Sequence, residues 1–252
     1  MQNARHAPRK VSLAHRSPNH TERRGVRLPD MIVLHYTGME TAMAAIERLC
    51  DPAAEVSAHY VVDLNGEIFA LVDEERRAWH AGRSQWGGVT DVNSHSIGIE
   101  IANPGHHLGY PPFPEPQMAS VEWLVAQAML RWSIMPERVV GHACVAPGRK
   151  IDPGEKFDWA RLARAGLAIF DECHRPASAA CEAATFRAHA IRIGYAAPDS
   201  VDWTPDLLNV WHAFAMRFLP GRANLPPDAA GVAVAAQVAN RWPCIDPTPS
   251  TA

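Results

Sequence analysis

No run of this 252-residue sequence is long and apolar enough to cross a bilayer as a helix, so membrane insertion is not expected. A large excess of charge of either sign is missing too. The 24 basic and 27 acidic residues leave a formal charge of -3, so no net field draws nucleic acid or anionic lipid to the chain. Cysteine is sparse and scattered: Cys50, Cys144, Cys173, Cys181 and Cys244 form no CxxC pair and are odd in number. That argues against a disulfide scaffold and for reduced thiols. HExxH is absent, which removes the helix-borne zinc-protease pattern. The first twenty residues are basic and polar and lack the apolar centre of a secretory signal. The cytoplasm is therefore the expected location, with the periplasm or export by a non-classical route as the alternative.

What is present alternates between strand and helix. Residues 1–28 read as a flexible basic arm. "MIVLHYTG" is a short apolar, β-rich run that ends in a turn. "AMAAIERLC" has helical spacing. In "VSAHYVVDLNGEIFALVD" two strand-like runs flank Asn65-Gly66, a strong hairpin signal. "SHSIGIEIAN" sets Ile97, Ile99 and Ile101 on one sheet face and Glu100 on the other. "NPGHHLGYPPFPEPQ" is too rich in Pro and Gly for regular structure and reads as a rim loop. "PQMASVEWLVAQAMLRWS" is an amphipathic helix, "ERVVGH" a short strand, and "FDWARLARAGLAIF" a closing helix headed by Asp158. The pattern predicts an α/β domain over residues 29–172, a mixed central β-sheet flanked by helices. Three helical stretches between 178 and 246 predict a small C-terminal three-helix domain after the "HRPASAA" linker.

The thirteen histidines are not equivalent. His35 and His142 each stand at the end of a predicted strand, where side chains of an α/β sheet converge on a site. Asp152 follows His142 across a loop stiffened by two Pro-Gly pairs. Two imidazoles and a carboxylate from three chain positions suit zinc with an open fourth position for water. Buried histidines also hydrogen-bond inside cores, so spacing alone leaves both readings open.

The motifs "IVLHYTG", "VSAHYVVDLNGEI", "WHAG", "SIGIEIAN" and "GHACVAPGRKIDPG" settle the direction. Through them the chain, from about Met31 to Trp159, resembles the zinc-dependent N-acetylmuramoyl-L-alanine amidases of the amidase-2 type, relatives of the peptidoglycan recognition proteins. The resemblance implies one Zn2+ per chain on His35, His142 and Asp152, with Glu100 and Lys150 as catalytic residues. It implies hydrolysis of the amide between N-acetylmuramic acid, or its anhydro form, and the L-alanine of the stem peptide. The expected partners are peptidoglycan or soluble muropeptides. A non-catalytic peptidoglycan-recognition protein on the same fold is the alternative.

Candidate substrate contacts are Tyr36, His80, Trp86, Asn103 and Arg149. Trp79, Trp86 and Tyr110 suit either cleft lining or packing, and His59 suits a structural imidazole. His106 and His107 lie on the rim loop, where a solvated role is expected. Cys144, two residues after His142, suits a small packed thiol. The C-terminal helices also resemble a peptidoglycan-binding module through "RIGY" and "LLNVWHAFAMRF"; wall binding and packing on the catalytic domain are equally open.

Overall fold

The computed structural model describes residues 9–171 and 180–244. Strands β1 (Val11–Ser12), β2 (His20–Glu22) and β3 (Met31–Tyr36) lead into helix α1 (Ala42–Cys50). Next come β4 (Tyr60–Val62), β5 (Ile68–Ala70), β6 (Arg76–Ala78), the one-turn helix α2 (Val92–His95) and β7 (Ser96–Ile101). Helix α3 (Glu115–Trp132), strand β8 (Val139–Gly141) and helices α4 (His142–Val145) and α5 (Trp159–Arg164) follow. Helices α6 (Ala183–Ile193), α7 (Pro205–Phe218) and α8 (Ala229–Arg241) complete the described chain.

The main sheet has the order β1-β5-β4-β7-β3-β8. Every neighbouring pair is parallel except the β4–β5 hairpin. The expected Asn65-Gly66 turn closes that hairpin. Gly66 adopts φ +86°, and a Cβ there would lie 2.5 Å from the Pro116 carbonyl, so the turn needs glycine twice over. A separate antiparallel pair joins β2 to β6.

Both faces of the sheet are covered, which is why β3 reads as a continuous apolar run. Ile32 and Leu34 join Ile97, Ile99 and Ile101 against Met118, Val121, Leu124 and Val125 of α3. Met31, Val33 and Val140 face the other way. They enter a cluster with Phe186 of α6, Trp211 and Phe214 of α7, and Val232, Ala235 and Val238 of α8. Helix α1 closes the far end of this second face through Ala42, Ile46 and Leu49, packed on Val61 and Phe69.

Two expectations change. Residues 9–28 are not a free arm: β1 extends the main sheet, β2 pairs with β6, and Ser17 and Asn19 are buried. Polar bonds hold this segment, Asn19 Nδ2 donating to the carbonyls of Asp51 and Val56 and Arg23 to those of Glu74 and Ser94. Hydrophobic periodicity cannot reveal such anchoring. The helix expected over 157–170 spans only Trp159–Arg164; Asp158 caps it as expected, and Gly166 turns the chain at φ +74°. The "HRPASAA" linker and the boundaries at 172 and 178 fall largely outside the described residues, as do residues 1–8 of the arm and the 246 boundary.

Candidate metal centre and active site

His35 is the penultimate residue of β3, and its register partner on β7 is Glu100. Pleat alternation sends the isoleucines of β7 to the α3 core and Glu100 to the opposite face, beside His35. His142 begins α4 directly after β8. The loop that follows brings Asp152 back over the same strand ends, pinned by the Ala143 N–H donating to the Asp152 carbonyl at 2.8 Å.

Three donor atoms meet there. His35 Nδ1 lies 2.9 Å from His142 Nδ1 and 3.1 Å from Asp152 Oδ2, and His142 Nδ1 is 3.0 Å from the same oxygen. Among the described residues this is the group of histidine, cysteine and carboxylate side chains that could hold a metal ion. The separations approach the edge of about 3.3 Å expected for tetrahedral ligands at zinc bond lengths. The back of each ring is occupied: His142 Nε2 faces the Ala81 carbonyl at 3.2 Å, and His35 Nε2 faces His80 Nδ1 at 3.0 Å. A carbonyl can only accept, so His142 carries its proton on Nε2 and offers an Nδ1 lone pair. With His35 Nδ1 likewise unprotonated, two lone pairs and a carboxylate converge at about 3 Å, an arrangement that a cation between them relieves. The residues fit a metal.

Electrostatics agree with the geometry. Burial, with His142 alongside, lowers the His35 pKa to about 4, so this imidazole is neutral near pH 7. Burial alone would raise the Asp152 carboxyl, but positive charge and donated hydrogen bonds at His142 and His35 outweigh it and hold the group well below the usual carboxylate range, a part that a cation among the three donors takes over when both rings are neutral. Glu100 goes the other way. Burial pushes its pKa well above normal, the nearby Asp152 adds to this, and the Lys150 cation opposes it. Glu100 Oε2 is shut off from solvent and has no hydrogen-bond partner among the described residues. A buried carboxylate oxygen left unmatched beside three converging donors marks a place where something else binds.

All five residues, His35, Glu100, His142, Lys150 and Asp152, line one cavity of about 400 Å³. Tyr36 and Arg149, the expected substrate contacts, also line it. The Tyr36 hydroxyl meets His106 Nδ1 at 3.0 Å, and His106 Nε2 meets Glu155 at 3.0 Å. Arg149 spends its guanidinium on the carbonyls of Ala81 and Arg83, at 2.5 and 2.7 Å, so it stiffens the wall. His80 touches the cavity but sits behind His35.

Trp86 and Asn103 are corrections. Trp86 is fully buried, its ring edge-on to Tyr195 and packed over Gly194, and it is not part of the cavity lining. Asn103 is also buried; its Nδ2 donates to the Pro111 carbonyl and its Oδ1 accepts from Gly105 N–H, which shapes the rim loop. His107 is exposed, as expected, and borders the cavity, as does Trp79. Sequence reasoning missed the wall supplied by Met39, Ala45, Arg48, Leu49 and Val56. The helical spacing of Ala45, Arg48 and Leu49 on α1 was the available signal. His59 is the structural imidazole expected, accepting from Gly98 N–H through Nδ1 and donating to the Arg76 carbonyl through Nε2. Cys144 is buried 3.5 Å from the Tyr195 hydroxyl and takes no part in the donor cluster.

A sheet edge that gathers metal donors and an unmatched carboxylate in one open cavity suits metal-assisted hydrolysis. Family comparison narrows the class. Residues 25–155 match the family described as N-acetylmuramoyl-L-alanine amidase, and the chain belongs to that family. It is 33% identical to the N-acetylmuramoyl-L-alanine amidase AmiD of Escherichia coli K12 over 84% of this chain and 83% of that protein. The solved complex of Escherichia coli AmiD with anhydro-N-acetylmuramic acid-L-Ala-D-γ-Glu-L-Lys superposes with a TM-score of 0.76 at 31% identity, covering 89% of this chain and 98% of that one. AmpDH3 of Pseudomonas aeruginosa, solved with anhydromuramic pentapeptide, gives a TM-score of 0.76 at 28% identity, over 96% and 100% of the two chains.

Proposed function

We propose that this protein hydrolyses the amide bond between N-acetylmuramic acid, or its anhydro form, and the L-alanine of the peptidoglycan stem peptide. His35, His142 and Asp152 hold one zinc ion. The convergence of their three donor atoms at 2.9–3.1 Å, next to the unmatched Glu100 oxygen, carries the reading. When bound, zinc supplies Lewis acidity that lowers the pKa of water and polarises a carbonyl.

The remaining work falls to side chains. Glu100, buried beside the donor cluster with one oxygen unmatched, takes a proton from the attacking water and returns it to the departing alanine nitrogen. Lys150, on the same cavity, balances the negative charge that grows on the carbonyl oxygen. His35 stays neutral and does not compete for that proton.

Soluble anhydro-muropeptides are the favoured substrates, since AmiD and AmpDH3 were both solved with anhydromuramyl peptides. The non-catalytic recognition reading gives the unmatched Glu100 oxygen no role, whereas proton transfer gives it one. The test is release of L-alanine-headed peptide from anhydro-muropeptide by purified protein, with zinc measured on the same sample. Activity that vanishes with a chelator and returns with zinc supports the proposal; full activity in metal-free protein overturns it.

A further inference from the structure

The "WHAG" and "SIGIEI" motifs contain three residues that the reaction leaves unexplained: His80, Ser96 and Gly98. They stand together. The Ser96 hydroxyl donates to the Val92 carbonyl at 2.6 Å, which uses its only hydrogen. Its oxygen lies 3.2 Å from His80 Nε2 and must therefore accept from that nitrogen. His80 then presents Nδ1 as a lone pair, 3.0 Å from His35 Nε2. His35 can fill that contact only by donating, so its own lone pair is left on Nδ1, the atom that joins the donor cluster.

The backbone that carries the ring is held in place. Asn93 Oδ1 accepts from the backbone N–H groups of both His80 and Ala81, at 3.1 and 2.8 Å. The same two-residue segment thus backs both metal histidines: His80 through its ring, and Ala81 through the carbonyl that receives His142 Nε2–H. A Cβ on Gly98 would sit 2.5 Å from the His80 ring. Glycine in the middle of β7, unfavourable for a strand, is what lets the imidazole lie there.

We propose that His80 is a positioning residue of the metal centre, oriented by Ser96, which fixes His35 with its proton on Nε2 and its Nδ1 open to the metal. The inference rests on the zinc reading above. It assigns His80 no contact with substrate, in place of the substrate-binding role its motif suggests.

Zinc affinity, measured by competition with a chromophoric chelator, is the readout. His80→Leu leaves the His35 Nε2–H without an acceptor and should weaken zinc binding about 10–100-fold. His80→Asn keeps an oxygen near the Nδ1 position and should lie closer to wild type than to His80→Leu. Metal-free melting temperatures of the two variants should agree within a few degrees, which separates positioning from stability. If His80→Leu fails to fold, Ser96→Ala serves: it leaves the ring in place and should still weaken zinc binding. Imidazole nitrogen NMR on zinc-loaded wild type completes the test, with His80 protonated on Nε2. His80 protonated on Nδ1, or His80→Leu and Ser96→Ala binding zinc as wild type does, would overturn the inference while leaving the zinc reading intact. Failure of wild type to bind zinc would instead remove the reading beneath it.

Discussion

His35 and Glu100 are register partners on adjacent parallel strands, so one pleat delivers a candidate metal donor and a buried carboxylate to the same cavity. Their pKa values move in opposite directions for one reason: burial disfavours the charged form of each, leaving a neutral imidazole and a protonation-prone carboxyl.

Glu100→Gln should keep the fold and the zinc while turnover of anhydro-muropeptide falls about 10²-fold or more. The two carboxylate roles separate here, since Asp152→Asn should lose metal as well. Zinc content and kcat measured on both variants check this. Near wild-type turnover by Glu100→Gln would remove Glu100 from the proton path.

The same substitution has a signature in stability. Because the folded pKa of Glu100 lies above its unfolded value, the unfolded chain binds fewer protons once pH exceeds the ordinary carboxylate range near 4.5. Stability of the wild type therefore falls as pH rises through that window, from the unfolded pKa up to the folded one. Metal-free Glu100→Gln lacks this penalty. It should melt above metal-free wild type at about pH 7, and the difference should shrink toward about pH 4, where both side chains are neutral.

Lys150→Met should lower kcat by about 10²-fold, the scale of one lost electrostatic donor, with a smaller change in KM. A rise in KM alone would mean that Lys150 holds the ground state and not the growing charge.

Helices α6–α8 share one hydrophobic cluster with β3, β8 and α4. We therefore expect them to melt together with the sheet and not as an independent wall-binding module. Phe214→Ala, at a fully buried site in that cluster, should cost about 3–5 kcal/mol. It should lower a single calorimetric transition by about 6–20 °C. Two transitions, only one of them shifted, would restore a separate domain.

Much of the site was legible because strand alternation and strand ends are periodic features. The pleat put Glu100 opposite the isoleucines and the strand termini singled out His35 and His142, while their grouping with Asp152 and Lys150 into one site was what the family resemblance implied. Trp86 was misplaced because its partners are remote: Gly194 and Tyr195 lie far along the chain, and sequence proximity to "WHAG" carries no information about them. Asn103 was misplaced for a different reason, since a polar residue near a motif satisfies a backbone turn as readily as a ligand. The role of His80 depends on which hydrogen Ser96 has already given away. That is a property of the folded network.

Strand β3 alternates between two cores, with Ile32 and Leu34 on one side and Met31, Val33 and His35 on the other. A slip of one residue would turn His35 into the α3 core and put an aliphatic or phenolic side chain in its place among the donors. The packing of both cores thus proofreads the position of His35, and a chain that has paired its strands wrongly cannot assemble the donor cluster. Metal uptake in this protein would report correct strand pairing, before any substrate is met.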